Sequence, residues 1–445
     1  MKDKCSSVLE MTKQGQETEL TEIRSRWLWV ESSIWTDKML AALEKGVKGD
    51  KWFSLCDKIY NSINLNRAWL KVRANKGGMG IDNVSIEKFR RHADERLLKL
   101  EEQLRNNTYK AQAVKRVMID KPGSKEKRPL GIPAVIDRIV QTAIRNAIEP
   151  IFEKDFSDNS FGFRPGRGCK DALRILDQYL KDGYQFVVDA DLKGYFDTIP
   201  KDRLMHLVQN KISDGRVLSW IEMYLNQSIF DGVKTWTPET GTPQGAVLSP
   251  LLANIYLDPL DKLMENRGYK MIRYADDFIV VCKTLQEAQS ALEIISEWVT
   301  ENKLILHPEK TKILNAETDS IEFLGYRFYK GKKYPKMKSL NKYKDSIRKH
   351  TKRTNSQSLS QIIAKITPIM RGWFEYYKHC HKTVFPNIDG WTRRRLRSIL
   401  KKYDKRKGIA TTGRDNIRYP NQIFEDVGFF SLTKAHQKLC QSLTE

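Results

Sequence analysis

Residues 271–282, MIRYADDFIVVC, decide how the rest of the chain is read. Two β-favouring runs, Met271–Tyr274 and Phe278–Cys282, flank a tight Ala275-Asp276-Asp277 corner, the pattern of a hairpin with acid at its tip. Adjacent carboxylates repel, so a fold that aims both at one spot expects a cation there. Taken alone, an acidic corner is an ordinary solvated turn. Three further stretches overturn that plain reading.

The first is FVVDADLKGYFDTI, residues 186–199. Phe186–Val188 reads as a buried strand, and Asp189 and Asp191, two apart, face the same side at its end. A carboxylate there could complete a cation cage with the acidic hairpin, but spacing does not decide among Asp189, Asp191 and Asp197. The second is TGTPQGAVLSPLLANIYLDPLD, residues 240–261: a Gly-Thr-Pro-Gln-Gly turn opens a long apolar helix, and its loop presents Gln244 where a nucleotide or strand backbone could lie. The third, YKAQAVKRVMIDKPGSKEKRPLGIP at 109–133, reads as a basic hairpin able to fold over a polyphosphate, with Lys121 a point charge and Arg128 a forked one. Between them, FGFRPGRG at 161–168 lets backbone come close to a charged partner or simply makes a structural loop. FLGYRFY at 323–329 alternates like a final strand.

Charge is distributed unevenly. From Gly331 onward there are 27 Lys and Arg against 8 Asp and Glu, whereas the first 330 residues hold 51 against 47. A positive field confined to the last quarter of the chain favours nucleic acid, an anionic membrane or another acidic partner. Aromatic residues are interleaved with it: Trp373, Phe374, Tyr376 and Tyr377 lie in a helical run where they either stack on bases or form helix core. A later helical run carries Arg393, Arg394, Arg395 and Arg397. The six cysteines never approach the C-x-x-C spacing of a zinc site or redox pair. With no apolar signal segment and no run of about 18 apolar residues, the expected location is the cytoplasm, without a membrane.

Together these stretches resemble one family, the reverse transcriptases encoded by bacterial group II introns, also called maturases. KPGSKEKRPLGIP, FGFRPGRG, DADLKGYFD, GTPQGAVLSPLLANIYLDPLD, RYADD, HPEKTKI, FLGYRF and GWFEYY match in order. Residues 1–26, polar and without a clear period, read as a flexible arm. From about Trp27 the resemblance implies an α+β right-hand polymerase: an amino-terminal extension and fingers over 27–132, a palm with an antiparallel sheet and helices over 133–330, and a basic helical thumb or maturase domain over 331–445. It implies RNA-directed DNA synthesis with two Mg²⁺ ions on Asp191, Asp276 and Asp277. Lys121 and Arg128 would grip the triphosphate, Phe196 would lie under the sugar, Gln244 near the incoming nucleotide or template, and Lys310 or Lys312 near the leaving phosphates. Arg393, Arg394, Arg395 and Arg397 would bind RNA.

The implied partners are an RNA template, a primer strand, dNTPs, a DNA target and the intron RNA itself. Relatives that cut their own target carry a further DNA-binding segment and a nuclease module with paired cysteines or histidines; these pairs are missing up to Glu445, so self-sufficient cleavage is not expected. Rival readings are a splicing-only RNA-binding maturase, an intron-independent reverse transcriptase used in DNA repair or phage defence, and an RNA-copying RNA polymerase. The three aspartates speak against the first. An aromatic Phe196 speaks against the last.

Overall fold

The computed structural model describes residues 18–120 and 127–442. These fall into two compact units, one of residues 18–120, 127–176 and 188–313, the other of 177–187 and 314–442. No described helix is long and apolar enough to cross a membrane.

In the first unit, residues 18–26, inside the stretch read as a flexible arm, are helical; Ile23 is buried, and Arg24 pairs with Asp37. Helix α1, Ser62–Ala74, buries Leu65, Ala68, Trp69 and Val72, the i, i+3, i+4, i+7 stripe of a helix with one wet face. Strands β1, Val114–Asp120, and β2, Lys127–Ile132, form the antiparallel hairpin expected from the basic stretch. Lys121 lies outside the described residues. Helix α2, Val135–Glu153, is buried on nearly every side and packs on α1, where Asn146 donates to Asn64 Oδ1 at 2.9 Å. The helix carries polar residues among its apolar ones, and several of them, Asp137, Gln141 and Asn146 included, are buried and used inside the unit.

Strand β3, Phe186–Asp191, leads into a one-turn helix α3, Tyr195–Thr198. The two-residue strands β4, Ile229–Phe230, and β5, Thr235–Trp236, extend the hairpin into a sheet of order β2-β1-β4-β5. Helix α4, Ser249–Asn266, begins with proline at its second position, where the missing N–H costs nothing. Strands β6, Lys270–Tyr274, and β7, Asp277–Cys282, follow, then helix α5, Leu285–Glu301, and strand β8, Lys312–Asn315. The second sheet has the order β6-β7-β3-β8. Five consecutive residues of β7, Phe278 to Cys282, are buried, as a strand covered on both faces requires.

The second unit contains a sheet of order β11-β10-β9, from β9, Ile321–Phe323, β10, Tyr326–Tyr329, and β11, Lys332–Pro335. FLGYRFY is therefore two antiparallel strands rather than one. Leu324 at φ 46° and Gly325 at φ +83° turn the chain between them, and a Cβ on Gly325 would come within 2.9 Å of the Tyr377 hydroxyl. Its longer helices are α6, Met337–His350, α7, Leu359–Tyr377, α8, Val384–Tyr403, and α9, Leu432–Gln441, with two short ones, Gly413–Arg418 and Asn421–Asp426, between the last two. Asp389 on α8 accepts the N–H groups of Leu432 and Thr433, so a buried carboxylate caps α9 and fastens the two helices.

Candidate active site

The β6–β7 register pairs Tyr274 with Asp277, leaving Ala275 and Asp276 as a two-residue loop. Ala275 takes φ +60°, the left-handed entry that tight hairpins with right-twisted strands demand. The FGFRPGRG segment is bound to this hairpin: Arg273 N–H donates to Asn159 O at 2.9 Å and Phe161 N–H to Arg273 O at 2.8 Å. A Cβ on Gly162 would stand 2.2 Å from Ala275 N, so glycine there is the condition for the close approach. The two arginines of that segment serve the fold. Arg164 pairs with Glu153 at 2.8 Å and Arg167 with Asp158 at 2.7 Å.

Asp191 ends β3, and the backbone beyond it is sewn to the HPEK turn: His307 N–H donates to Asp191 O at 2.7 Å and Lys193 N–H to Ile305 O at 2.8 Å. That zipper delivers the Lys310 ammonium onto the Asp191 carboxylate in a charge-assisted bond. Burial pushes the Asp276 carboxyl up from its ordinary value, and the nearby Asp191 charge pushes it further. Its own N–H and the Arg128 and Lys310 charges pull the other way. Asp191 and Asp276 therefore share one electrostatic site, with Asp277 following as the first residue of β7.

Around it, Phe196 on α3 sits edge-on to Phe163, with ring centroids 6.5 Å apart, and its carbonyl accepts Thr242 N–H at 2.7 Å. Gln244 donates to Asp197 Oδ2 at 3.0 Å, while its carbonyl accepts Gly131 N–H at 2.6 Å. The PQG loop is thus tied both to α3 and to β2. Burial raises the Asp197 carboxyl, and the Gln244 bond with the Arg116 and Arg128 charges opposes that. A cavity of about 230 Å³ opens beside this loop, lined by Arg116, Gly131, Asp197, Trp236, Thr242 and Gln244. Lys312 is exposed at the start of β8.

The donor set is oxygen, which suits a hard divalent cation, and a lysine ammonium already rests on one of its carboxylates. Among the described residues no group of three or more His, Cys, Asp and Glu is gathered tightly enough to hold an ion alone.

Comparison with known proteins places the chain in a family. Residues 119–328 match the family model for reverse transcriptase (RNA-dependent DNA polymerase), and residues 340–416 match the maturase-specific domain of group II introns. Protein YkfC of Escherichia coli K12 is 31% identical over 327 residues, a match covering 64% of this chain and 84% of YkfC. The chain belongs to the group II intron reverse transcriptase and maturase family. The group II intron-encoded protein LtrA of Lactococcus lactis subsp. cremoris is 35% identical over 249 residues, which are 56% of this chain but only 40% of LtrA. An uncharacterized 91 kDa protein in the cob intron of Schizosaccharomyces pombe is 30% identical over 338 residues, 60% of this chain and 41% of that one. Reverse transcriptases generally work with divalent metal ions.

The maturase-specific region holds the arginine row, and the structure separates its members. Arg397 is buried and donates to Tyr419 O at 2.8 Å and to Asn421 Oδ1 at 2.5 Å. Arg395 donates to Thr351 Oγ1 and O at 2.7 and 3.0 Å, and Arg393 lies over the Phe429 ring. Only Arg394 of the four is exposed. The aromatic stripe is core: Phe374 packs on Phe385 and Phe430, Tyr376 donates to Leu324 O at 2.6 Å, and Trp373 stacks near Tyr343 and Tyr377.

Three buried polar residues behind the Asp276 loop, Asn254, Asp261 and Arg273, were not singled out from the sequence. The signal was present. Asn254 and Asp261 are polar in an apolar helix and seven apart, hence on one face, and Arg273 interrupts an apolar strand.

Proposed function

We propose that this chain copies RNA into DNA with two Mg²⁺ ions held on Asp191, Asp276 and Asp277, and that its basic carboxyl-terminal region binds folded intron RNA. The observation that carries the reading is the meeting of Asp191, at the end of β3, with Asp276, in the loop that opens the neighbouring strand β7, beside the Lys310 and Arg128 cations. In the reaction, the primer 3′-oxygen attacks the α-phosphorus of a dNTP; the O3′–P bond forms as the bond to the pyrophosphate oxygen breaks. When bound, the divalent ions make the 3′-hydroxyl more acidic and offset charge on the leaving pyrophosphate.

The chain's own residues orient and neutralise. Asp191, at a strand end fixed by the His307 and Lys193 backbone bonds, and Asp276, in a two-residue loop, keep their carboxylates where rotation is restricted. Lys310 would exchange the Asp191 carboxylate for triphosphate oxygens and Arg128 would add a fork from β2, with Lys121 the other cation assigned to the triphosphate. Lys312, exposed at the start of β8, is the alternative cation for the leaving phosphates. Phe196 places a ring under the sugar and excludes a 2′-hydroxyl by contact, while Gln244, braced by Asp197, faces the nucleotide or template. On this reading residues 27–132 are the extension and fingers, 133–330 the palm and 331–445 the thumb.

Primer extension on an RNA template tests the proposal: dNTPs with Mg²⁺ should be incorporated, and removing the ion with a chelator should stop it. Absence of dNTP incorporation on any primed RNA would sink the polymerase reading. Sequencing RNA that copurifies with the protein tests the second half; it should be enriched in one folded intron.

A further inference from the structure

A buried charged cluster lies directly behind the Asp276 loop. Arg273 is 1% exposed, Asp261 3% and Asn254 2%. The Arg273 guanidinium spends its whole fork inside the protein. Nε donates to Asp261 Oδ1 and Oδ2 at 2.8 and 3.0 Å, Nη2 donates to Asp261, and Nη1 donates to Asn254 Oδ1 at 2.9 Å and to Ala275 O at 3.0 Å. Asn254 in turn donates Nδ2 to Gly162 O at 2.8 Å. The same helix turn receives the other side of the site, for the Tyr195 hydroxyl, next to Phe196, donates to Ala253 O at 2.6 Å.

Stability alone is a poor reason for this cluster, because a buried ion pair returns little more than its desolvation cost and apolar residues of equal volume often do as well. A planar fork does something an apolar side chain cannot. It fixes one carbonyl of a two-residue loop relative to a rigid helix and to the backbone of residue 162. We infer that Arg273, held by Asp261 and Asn254, is a positioning residue that sets the Ala275-Asp276 loop, so that α4 serves as the common reference for the loop and for Phe196. The inference rests on the proposed reading that Asp276 takes part in the reaction.

Two variants test it. Arg273→Lys keeps the charge but loses the fork. Arg273→Met with Asp261→Leu removes the pair as a unit and leaves no uncompensated charge. Both are assayed for melting temperature, for kcat and KM in primer extension, and for hydrogen exchange of peptides spanning 157–164 and 270–279. The expected result is exchange that speeds up in those two peptides, a kcat lowered by about 10²-fold, as a displacement near 1 Å costs, and a dNTP KM changed much less. In the double variant the kcat loss should persist even where melting returns to the wild-type temperature. Wild-type kcat and unchanged exchange in either folded variant would overturn the inference and leave the cluster as core. Asp276→Asn runs in parallel: if it extends primers normally, the reading of Asp276 fails, while the exchange data still decide whether Arg273 holds the loop.

Discussion

Two rows of charge lie in this chain, and they are put to opposite uses. In the first unit the acids at Asp191, Asp276 and Asp277 sit at strand ends and in a tight turn, where backbone bonds have already fixed their direction and cations approach from neighbouring loops. In the second, the arginines from 393 to 397 lie on a helix whose surroundings supply carbonyls and rings, so three of the four turn onto the protein itself. A charge at an element's end is available to a ligand. A charge in the middle of a packed helix is spent on whatever oxygen lies nearest.

The contrast can be broken or sharpened by substitution. Lys310→Ala should remove the cation beside Asp191 and lower primer-extension kcat by about 10²-fold, the usual loss for one stabilising donor, with little change in melting temperature; an unchanged kcat would separate Lys310 from the chemistry. Arg397→Gln should instead cost stability, about 2–3 kcal/mol for charge-assisted bonds lost in a buried setting, read as a lowered urea midpoint. Its polymerase activity on short unstructured templates should survive at temperatures where it stays folded. Phe196→Ala should shift the dNTP to rNTP ratio of kcat/KM by about 10-fold to 10²-fold toward ribonucleotides, and a constant ratio would remove Phe196 from sugar choice. Smallest of all, Arg394→Gln should flatten the log-log salt slope of RNA binding by at most about 0.7–0.9, one phosphate contact. If Arg394→Gln weakens RNA binding more than Arg397→Gln does, the exposed arginine is the RNA ligand and the buried one a fold element.

Legibility in the sequence followed the same division. The acidic hairpin, the basic β1–β2 hairpin and the strand before Asp191 could be read because strand period and turn chemistry are local. The choice among Asp189, Asp191 and Asp197 could not, since it depends on the β3 end meeting the HPEK turn more than a hundred residues later. FLGYRFY misled because alternation is the same for one strand as for two joined by a tight turn, and only φ at Leu324 and Gly325 tells them apart. The arginine row misled for a related reason: helical spacing says which residues share a face, but whether that face meets solvent or Tyr419 is a tertiary fact. Arg273 shows in the sequence only as a polar break in an apolar strand, and that its fork reaches Asp261 and Ala275 O is a tertiary fact.

The central claim is that Asp276 and Asp277 are held for nucleotidyl transfer. Asp276→Asn with Asp277→Asn keeps shape and volume while removing the charge. Measured side by side with the wild type on a primed RNA template with dNTPs and Mg²⁺, the double variant should melt at a comparable temperature and extend no primer. Equal extension by the two proteins would contradict the account.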